Sequence, residues 1–284
     1  MKIGLVLAGG MAKGAYQIGA LRAINNFIPL EEIKYVSCSS VGVLNGYAYA
    51  SGNLPRAEEM WKSICSDDKK FVITKVLRSS ILQQNILELY EDAKTPVNIP
   101  FYCSLMDITH RSIVYKDLST ATEEHIPQYL KASVAMPVYN RAVRIGKASY
   151  YDGAMIDNIP VYPLLKHDLD YIICIYFDDI SYKFENTAFD NKIIKITFPS
   201  ETMLKHSLIF KQDMIEEMIK TGYERTMFIL NSVFADGYEN RESVYRAIRH
   251  LNKSCTNSSV RITGDMIVTN FNKITQKLTK RKIM

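Results

Sequence analysis

Two short stretches of this sequence carry residue types whose spacing suits acyl-transfer chemistry. Cys38-Ser39-Ser40-Val41-Gly42 lies between an apolar strand, Ile33 to Cys38, and a helix read through Ala50. A serine on so tight a strand-to-helix turn is held away from the sheet with its hydroxyl exposed. The following helix directs its positive N-terminal end at the negative charge that develops on attack. Small residues suit the turn because the chain reverses there without Cβ clashes; Gly42 supplies one side and Cys38 the other. Taken alone, Ser-x-Gly after a strand equally describes a helix cap, at Ser40 or at Ser39.

The second stretch, Gly9-Gly10-Met11-Ala12-Lys13-Gly14, follows an apolar strand at Ile3 to Leu7 and opens a helix from Ala15 to Phe27. Phosphate or dinucleotide binding is the obvious alternative for such a loop. Lys13 lacks the Gly-Lys-Ser/Thr context of a P-loop, and Met11 stands where a dinucleotide loop needs close backbone approach. The second strand ends in Val36, Ser37 and Cys38, without an acidic ribose ligand. Backbone N–H groups of the loop equally suit an acyl-transfer oxyanion. Further on, Asp152-Gly153 follows a strand expected over Val138–Ile145, with Asn158-Ile159-Pro160 just after. An Asp-Gly pair is by itself a turn signal.

Together these segments resemble the patatin-like phospholipase family. The resemblance is carried by Leu5-Val6-Leu7-Ala8-Gly9-Gly10 with Lys13-Gly14-Ala15-Tyr16, by Ser39-Ser40-Val41-Gly42 with Leu44-Asn45, and by Asp152-Gly153-Ala154. Ala132-Ser133 with Ala135-Met136-Pro137, Asp107, and Glu217 to Tyr223 match weaker signatures. Order and spacing agree over roughly residues 3–225. The resemblance implies a three-layer α/β/α sandwich around a mainly parallel sheet, and a Ser–Asp dyad in place of a Ser–His–Asp triad. Ser40 is then the nucleophile and Asp152 its base, with the backbone of Gly9, Gly10, Met11 and Gly14 holding the oxyanion and Cys38 and Gly42 shaping the elbow. It also implies metal-free hydrolysis of phospholipid or other fatty-acyl esters without a cofactor. An acyltransferase or thioesterase using the same acyl-enzyme, or a catalytically weak lipid-binding protein, are the alternatives. Family members usually carry glycine where this chain has Met11 and Cys38. Cys38 is small enough to be tolerated, whereas Met11 is expected to crowd the oxyanion loop if its backbone needs positive φ, reducing or narrowing activity.

Those residues must be positioned by a chain of 284 residues, 47% hydrophobic and 23% charged, which is ordinary for a filled globular core. Strand, turn and helix recur within the first fifty residues, which predicts a parallel sheet with helices on both faces. Further strands are expected at Phe101–Met106, Ser112–Tyr115, Tyr171–Tyr176 and Ile193–Thr197. Helices are expected at Arg56–Ile64, Glu123–Ser133, Ile209–Leu230 and Glu242–Asn252. Residues 66–98 read as an irregular insertion covering the sheet and contributing to a substrate pocket. With no repeat or long linker, one domain over 1–284 is expected, its core motifs in 3–225 and a helical C-terminal segment in 226–284. Within that segment Ile267, Phe271, Ile274 and Leu278 recur at helical spacing beside Lys273, Lys277, Lys280, Arg281 and Lys282.

The totals exclude other classes. Five cysteines without a CxxC pair support neither a zinc ribbon nor a disulfide framework, and point to reduced thiols in the cytoplasm. No run approaches a membrane-spanning helix or a signal peptide, so membrane contact, if made, is peripheral. The net charge of +5 allows an anionic surface as partner, and the basic C-terminal helix could lie on one, although docking on the domain is the commoner fate of a terminal helix. No aromatic-basic interleaving suits nucleic acid. The five histidines lack metal-ligand spacing; His167 or His206 could complete a hydrolase triad, but a surface role is the simpler reading of each. Asp107 and Asp157 could compete with Asp152 as base, but a strand-end cap at Asp107 and a turn at Asp157 are the simpler readings.

Overall fold

Short apolar runs bounded by glycine, serine and asparagine become the strands of one central sheet. The computed structural model describes residues 1–64, 71–72, 76–77, 79–93, 96–177, 181–184, 190–198, 209–253, 258–261 and 280–284. In chain order the elements are β1 (Ile3–Leu7), α1 (Gly14–Phe27), β2 (Ile33–Cys38), α2 (Val41–Ala50), α3 (Leu54–Ser63), β3 (Phe71–Val72), α4 (Ser80–Glu91), β4 (Phe101–Asp107), β5 (Ser112–Asp117), α5 (Ile126–Ser133), β6 (Val143–Ile145) and β7 (Ala148–Asp152). They continue with β8 (Tyr171–Tyr176), β9 (Ser181–Phe184), β10 (Ile193–Thr197), β11 (Ile209–Phe210), α6 (Gln212–Val233), α7 (Arg241–Lys253), β12 (Ser258–Arg261) and β13 (Lys280–Ile283).

The main sheet runs β10-β8-β1-β2-β4-β5-β13, with β7 paired to β4 and β6 to β7. It is mixed: β10, β8, β1, β2 and β4 lie parallel, whereas β5 and β7 run antiparallel to β4. Alternation along β1 sends Ile3, Leu5 and Leu7 into the core under the helices. Val6 faces a second core, closed by the segment 156–169 with its 3-10 turn at Tyr162–Leu164. Helical segments therefore cover both faces, the α/β layering expected from the repeated strand–turn–helix pattern.

Helix α1 is the hub of the thicker layer. Its Gly19 lies against α6. A Cβ at Gly19 would stand 1.8 Å from the Ile219 carbonyl oxygen, and one at Gly222 would stand 2.1 Å from that of Tyr16. The two helices thus cross in backbone contact, which only glycine permits on each side.

Some boundaries differ from expectation. The strand expected over Val138–Ile145 is only β6; residues 137–140 form a turn, and Asp152 ends a separate strand, β7. Residues 80–91, inside the expected irregular insertion, are a regular helix capped by the Ser79 hydroxyl, which accepts from Leu82 N–H. The C-terminal segment is helical through α7, but Lys280–Ile283 is a strand parallel to β5, so Lys280, Arg281 and Lys282 do not extend a helical face. Pairing satisfies the backbone groups of β5, which would otherwise be a sheet edge. The expected apolar stripe at 267–278 lies outside the described residues.

Candidate active site

Parallel pairing of β1 with β2 puts Leu7 opposite Cys38, so the loop after β1 and the turn after β2 emerge side by side. Antiparallel pairing of β7 with β4 then brings Asp152 opposite Leu105, two strands from β1. Three segments far apart in sequence meet at one end of the sheet.

Ser40 has φ 53° and ψ −133°, a conformation costly for a residue with a side chain. It occupies the N-cap position of α2, yet its hydroxyl makes no capping bond. Ser39 is not free to cap either, because its hydroxyl accepts a 2.8 Å hydrogen bond from Ser104. The helix-cap reading of this turn therefore does not describe its side chains. Gly42 lets α2 start hard against β1: a Cβ there would lie 2.6 Å from the Leu7 carbonyl oxygen. Cys38 is fully buried, and a Cβ added at Gly46 would meet its Sγ at 2.6 Å. The thiol replaces the usual glycine because Gly46 leaves it room. Burial pushes that thiol well above its ordinary pKa, so it sits as a packed neutral group.

Asp152 is buried, and its Oδ1 accepts from Ala154 N–H at 2.8 Å. Its own N–H donates to Ala135 at 2.8 Å, anchoring the end of β7 to the chain after α5. Desolvation pushes the carboxyl up from 3.8 to about 7, against the smaller pull of hydrogen bonds from Ser40 and from Ala154. A carboxyl whose pKa lies near 7 is a better proton acceptor than an ordinary carboxylate.

The glycine loop packs directly on the serine. A Cβ at Gly9 would stand 2.5 Å from Asn158 Oδ1 and 2.7 Å from Ser40 Cβ, and one at Gly10 would strike the Phe177 ring. Gly9 N–H donates to the Asn158 carbonyl at 3.4 Å, and Gly14 N–H bonds within the helical turn, to Ala12 and Met11 carbonyls. Among the described residues the N–H groups of Gly10, Met11 and Val41 have no protein acceptor. Met11 adopts φ 53°, so the backbone condition under which its side chain was expected to crowd the loop is met.

Two cavities meet here. A cleft of about 440 Å³ is lined by Gly9, Gly10, Met11, Lys13 and Asn158. An apolar pocket with only about 30 Å³ of free space is lined by Leu44, Met60, Trp61, Val76, Leu77 and Leu82, among others. Both share Met11, Ser40, Met136 and Asp152. Val76, Leu77 and Leu82 come from the segment 66–98, which therefore does line the pocket.

Behind the loop lies a buried amide chain that motif reading passed over. Trp61 Nε1 donates to Asn45 Oδ1 at 2.9 Å, and Asn45 Nδ2 donates to Gln17 Oε1 and to the Gly14 carbonyl, each at 2.9 Å. Gln17 Nε2 donates to the Ala8 carbonyl at 2.7 Å. Both ends of the glycine loop are thereby tied to α1, α2 and α3. The signal was present: Gln17 and Asn45 are lone amides in otherwise apolar helical runs.

The rival candidates are placed elsewhere. His167 stacks on Tyr35 with ring centroids 3.7 Å apart and lies 3.2 Å from the Tyr102 hydroxyl, on the opposite face of the sheet. His206 lies outside the described residues. Asp107 accepts from Thr109 N–H and His110 N–H as a strand-end cap, and Asp157 accepts from the Tyr115 hydroxyl at 2.6 Å. Neither lines the two cavities.

The fold is α/β, with a serine held in a strained strand-to-helix turn at one end of the sheet. The patatin-like phospholipase family model matches residues 5–165, more than half of the chain, and the chain belongs to that family, whose members are lipid hydrolases. It is 28% identical over 173 residues to human patatin-like phospholipase domain-containing protein 6, covering 56% of this chain and 12% of that protein. It is 22% identical over 184 residues to lysophospholipase NTE1 of Debaryomyces hansenii, covering 61% of this chain and again 12% of the relative. The chain thus spans a small part of the relatives it matches. Among solved structures, VipD from Legionella pneumophila aligns over 89% of this chain and 74% of its own, at 13% identity and a TM-score of 0.47.

Proposed function

We propose that the protein is a serine lipid acyl hydrolase acting on phospholipid or lysophospholipid esters through a Ser40–Asp152 dyad. The observation that carries this reading is the meeting of Ser40 and Asp152 where an apolar pocket joins an open cleft. Ser40 Oγ attacks the ester carbonyl carbon as its proton passes to Asp152. The oxyanion is held by the unengaged N–H groups of Gly10 and Met11, with Val41 at the helix start. The carbon–oxygen bond to the alcohol then breaks, and Asp152 returns the proton to that leaving oxygen. Water attacks the acyl-serine, gives a proton to Asp152, and releases the fatty acid as Ser40 is regenerated. No step of this scheme calls on a metal or cofactor. The buried thiols of Cys38 and Cys103 support a cytoplasmic setting.

Incubating the protein with defined phospholipids and lysophospholipids tests this. Fatty acid release by wild type, lost by about a thousandfold or more in Ser40→Ala, is the expected result. Transfer of the acyl group to an added alcohol or thiol instead would favour the acyltransferase reading. One observation favours the lipid-binding alternative: Met11 lines both cavities beside the proposed oxyanion donors, and the apolar pocket is nearly closed. Lipid bound without turnover would establish it.

A further inference from the structure

The two proposed oxyanion donors of the glycine loop each belong to a rigid peptide unit, and the carbonyl of that unit decides where the donor points. In a planar trans peptide the C=O and the N–H that follows it face opposite ways. Whatever holds the carbonyl therefore aims the N–H. Met11 N–H shares its peptide with the Gly10 carbonyl, which accepts from Lys13 N–H at 3.1 Å within the loop's own turn. Gly10 N–H shares its peptide with the Gly9 carbonyl, and that carbonyl accepts from a side chain, Asn158 Nδ2, at 3.2 Å. A carbonyl oxygen only accepts, so the Asn158 amide has to present its NH2 group here.

A peptide between two glycines turns over with little steric resistance, so its orientation has to come from such a partner. The backbone carbonyl of Asn158 also accepts Gly9 N–H, at 3.4 Å, so one residue engages both polar groups of Gly9. A Cβ at Gly9 would meet Asn158 Oδ1 and Ser40 Cβ alike, so carboxamide and serine flank the same α-carbon. The chain on either side of Asn158 is anchored. Asp157, fully buried, accepts from the Tyr115 hydroxyl at 2.6 Å, and its N–H donates to the Gly153 carbonyl at 2.9 Å. The Pro160 carbonyl accepts from the Ser37 hydroxyl at 2.6 Å. Through this segment, which follows directly on Asp152, the proposed base and the glycine loop share one support.

We infer that Asn158 is a positioning residue: its side-chain amide holds the Gly9–Gly10 peptide in the orientation that leaves Gly10 N–H turned to the oxyanion. The inference rests on the hydrolase reading, which is what makes Gly10 N–H a donor to the reaction. Asn158 acts through Gly9 and not on the reacting atoms, so its loss should weaken the transition state and leave substrate binding in place. Replacing its NH2 by oxygen should do more than removing the side chain. A carboxylate there repels the Gly9 carbonyl and attracts Gly10 N–H, which favours the flipped peptide.

Asn158→Ala and Asn158→Asp, made in the full chain, test this on a water-soluble ester. The expected fall in kcat is about tenfold for Asn158→Ala and about a hundredfold or more for Asn158→Asp, with KM within about twofold of wild type. A trifluoromethyl ketone, to which Ser40 adds to give a bound oxyanion, should lose affinity by the same factors. A merely structural role would lower the melting temperature without that proportion. In Asn158→Asp the flipped Gly10 N–H donates to the carboxylate, so its amide resonance should move downfield and follow the ionisation of that carboxylate. Variants that keep wild-type kcat, or lose kcat with no matching loss of ketone affinity, would overturn the positioning role and leave the hydrolase standing. If wild type neither turns over esters nor binds the ketone, the hydrolase reading falls and the Gly10 resonance decides alone. A downfield shift then preserves the hold of Asn158 on the peptide, and an unmoved signal removes it.

Discussion

A carboxylate at its ordinary pKa is a poor acceptor for a serine proton, and Asp152 is shifted to about 7 chiefly by burial. The proposed dyad should therefore gain activity as pH rises through about 7, which a pH–rate profile on a soluble ester would register. The same shift has a stability consequence of opposite direction. The folded pKa lies above the unfolded 3.8, so the fold holds the proton more tightly. That contribution is fully present below pH 3.8 and is lost as pH rises through about 7, amounting to at most about 4 kcal/mol. Asp152→Asn should thus melt close to wild type at pH 4 and above it at pH 8, while losing activity. Equal melting temperatures at pH 8 would show that the carboxylate is better solvated than its burial implies. Met11 belongs to this scale too. Met11→Gly relieves a positive φ that costs a side-chain-bearing residue roughly 1 kcal/mol or more, and removes a group lining both cavities. Rates on esters of increasing chain length should rise most for the longest; a uniform rate would mean Met11 does not restrict the site.

The elements explain how the glycine loop, the serine turn and an aspartate more than a hundred residues further on arrive at one point. Serine and glycine-loop positions were legible because each follows a short apolar strand, and parallel pairing of β1 with β2 fixes their proximity. Asp152 was found only through the family resemblance. Its strand β7 escaped notice because Tyr150-Tyr151 beside Gly146 and Lys147 reads as a turn region, and antiparallel pairing with β4 is not encoded locally. Helix α4 was hidden by its short, mixed-polarity run, and β13 by the helical spacing that precedes it. The amide chain from Trp61 to Ala8 was missed because a buried network is defined by partners from three helices. Asn45→Leu tests its role: it strips the Trp61 N–H, the Gly14 carbonyl and the Gln17 carbonyl oxygen of partners at once. The expected cost is about 3 kcal/mol or more, with a fall in kcat exceeding that in KM because the loop loses its tether. A thermal melt and steady-state kinetics would check both.

At the scale of the molecule, the layered sheet gathers the glycine loop, the serine turn and the buried aspartate at one end, where a narrow apolar pocket and a wider, open cleft share four residues. Among the described residues no helix is long and apolar enough to cross a membrane. The apolar pocket has room for little more than one water, so an acyl chain can enter only if Met11, Met136 or the Val76–Leu82 wall gives way. Hydrogen exchange at 76–93 should accordingly quicken when a long-chain substrate analogue binds, and no change there would place the acyl chain elsewhere. The central claim, that Ser40 is a nucleophile activated by Asp152, is tested most directly by fluorophosphonate labelling followed by mass mapping of the modified residue. The account predicts a single adduct on Ser40 in wild type, none in Ser40→Ala, and labelling slowed by orders of magnitude in Asp152→Asn. An unlabelled wild type under conditions where other serine hydrolases react, or an adduct at equal rate in Asp152→Asn, would contradict it.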